Sequence, residues 1–145
     1  EVTQDYPGVQ FEEFIVDDMA HRLVVRPDEL DVLLLPNLYG DILSDLGAGT
    51  IGGLGLAPSG CYGHDFAYFE SAHGTAPDIA EMGIINPTAT LLSAAMMLRY
   101  LNFGSAADRL ETSIADVYLA GSDLTPDQGG EASTERFADA VIGAL

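Results

Sequence analysis

The sequence predicts an α/β fold. Two short apolar runs, at residues 32–35 and 66–69, have the length and composition of buried strands. Four longer stretches, at 16–26, 88–100, 105–119 and 133–145, repeat their apolar residues every three or four positions, the period of a helix with one buried face. Segments rich in glycine and proline separate these elements and read as turns.

Residues 1–15 join a Tyr6-Pro7-Gly8 turn to Phe11-Glu12-Glu13-Phe14-Ile15, which reads as a short strand. In the helix that follows, Val16, Met19, Ala20, Leu23 and Val24 share a face. Asp17 and Asp18 stand at its start, where acids favour the helix dipole, and His21 falls on the polar side as a surface residue. Pro27-Asp28-Glu29-Leu30 is a loop into a strand at 31–35, which Pro36 ends. Gly40 lets the backbone turn, and a helix starts near Asp41.

On that helix Asp41 and Asp45 are four residues apart, so their carboxylates lie on one face, one turn apart. Two like charges so close cost free energy unless a cation neutralises them, and hard oxygen donors suit Mg²⁺ or Mn²⁺. The plain alternative is a solvated helix start, where Asp caps the first turn; spacing alone leaves both open. Glycines crowd residues 47–60, which suits close backbone approach to a ligand and, equally, a tightly packed turn. The spacing is neither a dinucleotide fingerprint nor a phosphate loop.

The strand at 66–69 ends at Glu70. Ser71-Ala72-His73-Gly74-Thr75-Ala76-Pro77-Asp78 is then a polar loop, with a turn at Gly74 and a helix start at Pro77. Loops at strand C-termini are where α/β folds place ligands. Asn86-Pro87 marks a boundary, and Thr88 caps or opens the next helix, in which Met96-Met97 reads as core filler. Gly121 ends the helix at 105–119. Asp127-Gln128-Gly129-Gly130 is a turn, and Ser133-Thr134-Glu135-Arg136 resembles a capped helix start.

Composition excludes several functions. Asp and Glu number 23 against 5 basic residues, all of them Arg, for a net charge of −18. That balance argues against nucleic acid, whose phosphates need a basic footprint. No apolar run is long enough to span a bilayer. A lone cysteine, Cys61, cannot close an internal disulfide, which fits a reducing, cytoplasmic setting; it reads as a buried or half-buried bystander. The acids are dispersed among periodic segments, as on the acidic surface of a folded domain adapted to high intracellular salt.

Several motifs converge on one family. Asn37 to Asp45 resembles the N-L/I-F/Y-G-D-I-L/V/I-S-D signature of the β-decarboxylating dehydrogenases, which act on isocitrate, 3-isopropylmalate, homoisocitrate, and tartrate or D-malate. The stretch from Phe69 to Ala80 resembles their cofactor loop. Asn86-Pro87-Thr88, Leu92-Ser93-Ala94-Ala95-Met96-Met97-Leu98 and Thr125-Pro126-Asp127-Gln128-Gly129-Gly130 continue the likeness through the chain.

The resemblance implies an α/β/α sandwich distinct from the Rossmann fold, present here as an incomplete C-terminal part, and a homodimer or larger assembly. Residues 1–30 would lie near the dimer-forming region and 31–145 would form the cofactor- and metal-binding region. Asp41 and Asp45 would bind Mg²⁺ or Mn²⁺ from one subunit, with Asp17 matching a third metal carboxylate given by the neighbouring subunit. Glu70 matches a residue near the nicotinamide ribose. His73, Gly74, Thr75 and Ala76 would wrap the adenosine side, and Asn86 matches an adenine contact. At Asp78-Ile79, NADP-linked relatives carry a Lys-Tyr pair. A carboxylate there accepts hydrogen bonds from the ribose hydroxyls and repels a 2′-phosphate, so NAD is the expected cofactor.

The family's proton-transferring Lys and Tyr lie upstream of the matched region, and this chain has no lysine. No catalytic residue is therefore assigned within it, and the chain is expected to be inactive alone. Ala80-Glu81-Met82-Gly83 also departs from the relatives' common Ala-Gly-Lys. The expected activity is NAD-dependent oxidative decarboxylation of a small 2-hydroxy acid bearing a β-carboxylate, isocitrate or 3-isopropylmalate first. The alternatives are a non-catalytic regulatory subunit of a multi-subunit isocitrate dehydrogenase, which would lose its metal carboxylates, and an isolated acidic domain without function.

Overall fold

The computed structural model describes residues 2–145 and divides into two compact units, Glu1–Gly47 and Ala48–Leu145. In the first unit, a 3₁₀ turn at Val2–Asp5 leads through irregular chain to helix α1 (Val16–Val25). Asp17 and Asp18 occupy its first turn. Arg22 bonds Asp18 one turn back at 2.8 Å and stacks its guanidinium 4.5 Å from the centre of the Phe14 ring. A 3₁₀ turn at Pro27–Glu29 follows, and Arg26 meets Glu29 there at 3.8 Å.

Helix α2 (Asn37–Thr50) begins in the first unit and ends in the second. It starts four residues earlier than the sequence suggests. Gly40 is no turn: its N–H already donates to the Pro36 carbonyl at 2.9 Å, inside the first helical turn. Gly47 of α2 faces Leu23 of α1, where a Cβ would make an ordinary 3.8 Å contact.

Two expected strands of this unit are not formed. Residues 11–15 and 31–35 are irregular chain, and Val32 and Leu34 are 84% and 90% exposed. A strand exists only when a neighbour satisfies its backbone groups, and no described segment pairs with either run.

The second unit opens with a 3₁₀ turn at Leu54–Leu56. A two-stranded antiparallel hairpin follows, β1 (Pro58–Tyr62) and β2 (Ala67–Ser71). Its register pairs Ser59 with Glu70 and Cys61 with Tyr68. Strand β1, Pro-Ser-Gly-Cys-Tyr, has poor strand propensity and is extended because β2 pairs with it. At Gly60 a Cβ would lie 2.9 Å from Tyr62 Oη and 3.1 Å from both Met96 Cε and Phe69 Cδ1, so a side chain there requires those three to shift. Of the Met96-Met97 pair expected as core filler, Met96 is half-buried beside Gly60, while Met97 is 39% exposed. Cys61, expected buried or half-buried, is exposed.

Helices α3 (Thr88–Tyr100), α4 (Gly104–Ala120) and α5 (Thr134–Ala144) match the periodic stretches. Ile114 and Val117 of α4 pack with Phe137 and Val141 of α5, and Leu91 and Leu92 of α3 close over them. Gly121, at φ 71, ends α4 in the left-handed form that glycine adopts without penalty. Ser133 caps α5, accepting the Arg136 N–H at 3.1 Å. Arg99 ties α3 to α4 through Asp108 and Glu111.

Candidate functional site

The acidic residues singled out in the first unit stand on two helices. Asp41 and Asp45 are exposed, one turn apart on α2. Asn37 Nδ2 donates to Asp41 Oδ2 at 3.2 Å, which orients that carboxylate. Asp17 is exposed on α1, where its Oδ1 accepts the Asp18 N–H at 3.0 Å. Among the described residues no three His, Cys, Asp or Glu side chains are grouped to hold a metal, so Asp17 is not brought together with the α2 pair. Arg22, Arg26, Arg99 and Arg136 meet other acids. The α2 pair is therefore a two-carboxylate donor set of hard oxygens. Such a set fits a Mg²⁺ or Mn²⁺ ion that takes its other ligands from elsewhere.

The second unit carries the other candidates on the chain after β2. Glu70 is exposed on the strand itself. His73 is half-buried, its Nδ1 2.9 Å from the Gly74 carbonyl oxygen, while Gly74, Thr75 and Asp78 are exposed. Ala76 takes a left-handed backbone, φ 42. Two turns follow, with Ile79 N–H on the Ala76 carbonyl at 3.0 Å and Met82 N–H on the Ile79 carbonyl at 3.2 Å. The helix expected from Pro77 is not formed. Left-handed residues at Ala76, Glu81 and Gly83 bracket the segment and break any right-handed helix.

Asn86 is the most buried candidate, 3% exposed, so every polar atom of its side chain needs a partner. Its Nδ2 donates to Tyr118 Oη and to Asp127 Oδ2, both at 3.0 Å, and its Oδ1 accepts the Thr88 N–H at 3.0 Å. Thr88 opens α3, as the sequence predicts, and the last of these bonds holds its N–H; its own hydroxyl is buried on Tyr118 at 2.8 Å. Since the side chain is spent on these bonds, a ligand beside Asn86 would meet its backbone.

Asp127 closes the network. Burial pushes its carboxyl up, but hydrogen bonds from Thr125, Asn86 and Gln128 outweigh this and hold it below the usual carboxylate range. Gln128 also donates to the Gly52 carbonyl at 3.1 Å. A Cβ at Gly55 would lie 3.2 Å from Asn86 Cβ and 3.3 Å from Asp127 Oδ2. The glycine-rich turn is thus packed against the Asn86–Asp127 pair, which supports the packing reading of those glycines. Tyr118 and Asp127 were not singled out as site residues. A tyrosine on a helix face and an aspartate in a turn are ordinary until the fold brings them to one asparagine.

The chain matches the family described as isocitrate/isopropylmalate dehydrogenase over residues 1–141. It is 55% identical over 145 residues to the isocitrate/homoisocitrate dehydrogenase of Thermus thermophilus, covering 100% of this chain and 43% of that protein. A Drosophila melanogaster protein named as a probable mitochondrial isocitrate dehydrogenase (NAD) subunit alpha is 48% identical, covering 100% of this chain and 38% of its own length. The crystal structure of isocitrate dehydrogenase from Methylococcus capsulatus superposes with a TM-score of 0.94 at 42% identity, over 99% of this chain and 43% of that one. The chain therefore spans about two fifths of the relatives it matches.

Proposed function

This chain belongs to the isocitrate/isopropylmalate dehydrogenase family, and we propose that it is the metal- and cofactor-binding part of an NAD-dependent enzyme that oxidises and decarboxylates a 2-hydroxy acid bearing a β-carboxylate. The observation that carries this reading is the pair Asp41 and Asp45, exposed one turn apart on α2 with Asn37 orienting the first. Their role is to hold Mg²⁺ or Mn²⁺. When bound, such an ion polarises the oxidised carbonyl and neutralises the charge that develops as the β-carboxylate leaves. Asp17 serves the metal of a neighbouring subunit, since it stands apart from the α2 pair; this makes the active form a homodimer or a larger assembly.

NAD supplies the hydride acceptor. Glu70 lies by its nicotinamide ribose, and the exposed backbone of Gly74 and Thr75, with His73 and Ala76, follows the adenosine side. Asp78, exposed after the Ala76 turn, accepts from the ribose hydroxyls and repels a 2′-phosphate. The backbone at Asn86 meets the adenine. Proton transfer falls to a Lys and a Tyr outside this chain, which has no lysine. The 55% identity to a protein named for isocitrate and homoisocitrate supports those two substrates first. All three metal carboxylates are kept, which weighs against a regulatory subunit.

The test is NADH formation by the complete gene product with isocitrate, homoisocitrate and 3-isopropylmalate, in Mn²⁺ and molar KCl. Asp41→Asn and Asp45→Asn should each lower turnover by about 100-fold or more and weaken Mn²⁺ binding, while the dimer survives. Turnover unchanged in either variant would end this reading.

A further inference from the structure

We propose that Ser93 is a positioning residue for Glu70 and, through it, for the chain from His73 to Asp78; the inference rests on the cofactor reading above. A serine inside a helix ordinarily turns its hydroxyl back to the carbonyl one turn earlier. Ser93 Oγ lies 2.8 Å from the Ala89 carbonyl oxygen, but its single proton is shared with a closer acceptor, the Glu70 carbonyl at 2.6 Å. Its Oγ also accepts the Ser59 N–H at 3.2 Å. Ser59 and Glu70 are partners across the hairpin, so one hydroxyl from α3 holds both members of one rung. The Glu70 contact is the shorter of the two carbonyl contacts.

Ser93 is 2% exposed, so removing its hydroxyl takes a partner from the Ser59 N–H and the Glu70 carbonyl away from bulk solvent. Packing alone does not require a hydroxyl there, because Ala89 and Ala95 bury on the same helix with methyl groups only. What the hydroxyl adds is direction. It sets the height of the Glu70 backbone one residue before β2 ends. The last pairing bond before the cofactor loop, Ala72 N–H to the Ala57 carbonyl at 3.1 Å, lies two residues further on. Glu70 itself is exposed, so its carboxylate reaches a ligand from a backbone that Ser93 fixes from beneath. A site of this kind depends on such support, because small displacements of a positioned group weaken its contact with the ligand.

The experiment is steady-state kinetics and NADH binding on the complete gene product carrying Ser93→Ala. KM for NAD⁺ should rise about five- to tenfold, the effect of one misplaced hydrogen bond. KM for the hydroxy acid and kcat should stay within about twofold. Ser93→Cys, nearly isosteric with a weak donor, should fall between and carries the test if the alanine variant does not fold. Glu70→Ala combined with Ser93→Ala should raise KM for NAD⁺ no further than Glu70→Ala alone. Ala95→Gly, which weakens α3 and leaves the Ser93 hydroxyl in place, serves as control and should lower Tm with KM unchanged. A Ser93→Ala protein that behaves like this control, or additive effects in the double variant, would overturn the positioning role while wild type still binds NAD⁺. A wild type that binds no NAD⁺ would overturn the cofactor reading together with this inference.

Discussion

Glu81 holds a left-handed backbone, φ 64, where an L side chain costs about 1–2 kcal/mol. The family that the sequence resembles commonly has glycine at this point. Glu81→Gly should relieve the strain, offset in part by the entropy that glycine gains in the unfolded chain. The expected net is a stabilisation of up to about 1 kcal/mol, read as a higher Tm in thermal unfolding; a lower Tm would mean that the turn needs the Glu81 side chain. Asp78 poses a question of charge instead of shape. It is exposed in the turn after Ala76, free of any described ion pair. Asp78→Lys with Ile79→Tyr should raise the kcat/KM ratio of NADP to NAD by at least about tenfold. An unchanged ratio would remove Asp78 from the cofactor site.

At the scale of elements, the Thr125 to Gly130 turn shows how a motif becomes a structural demand. A 3₁₀ turn at Pro126–Gln128 ends in left-handed Gly129, φ 79. Gly130 then passes so close to Leu124 that a Cβ would collide with its backbone carbonyl. Gly130→Ala should cost about 2 kcal/mol or more, since backbone must move, and denaturant unfolding of the variant measures it. Because Asp127 and Gln128 leave the same turn toward Asn86 and Gly52, the variant should also loosen that network. Helices α1, α3, α4 and α5 are legible in the sequence because an apolar face repeats over two or more turns in each. Gly40 looks like a break in the sequence, yet its N–H is helical, so α2 starts four residues before the point its pattern suggests. Strand β1 carries no strand signal, and the runs at 11–15 and 31–35 carry one without forming a strand, for one reason: a strand is made by its partner, and propensity does not name the partner.

Over the whole molecule the dominant feature is charge. The chain carries −18 with only five arginines. Arg22, Arg26, Arg99 and Arg136 are committed to ion pairs, and Arg109 to the Leu145 carbonyl. The uncompensated carboxylates repel one another in dilute buffer, and the Debye length falls to about 3 Å in molar salt. Thermal unfolding should therefore move to higher temperature as KCl rises from about 0.1 M to 1 M. A Tm that is flat or falling over that range would end the proposed adaptation to high salt. Among the described residues no helix is long and apolar enough to cross a membrane.

The sequence by itself determined the family, the helical segments, the acidic surface and the spacing of Asp41 and Asp45, because each is a property of local order along the chain. It also named Asn86, but not what Asn86 does. Only the tertiary structure decided that its side chain is spent on Tyr118, Asp127 and Thr88, that Ser93 grips both strands of the hairpin, and that Asp17 stands apart from the α2 carboxylates. These are contacts between residues 30 or more positions apart for Asn86–Tyr118, Asn86–Asp127 and Ser93–Ser59. A buried polar atom takes whichever partner the fold presents, and that choice is made by packing in space.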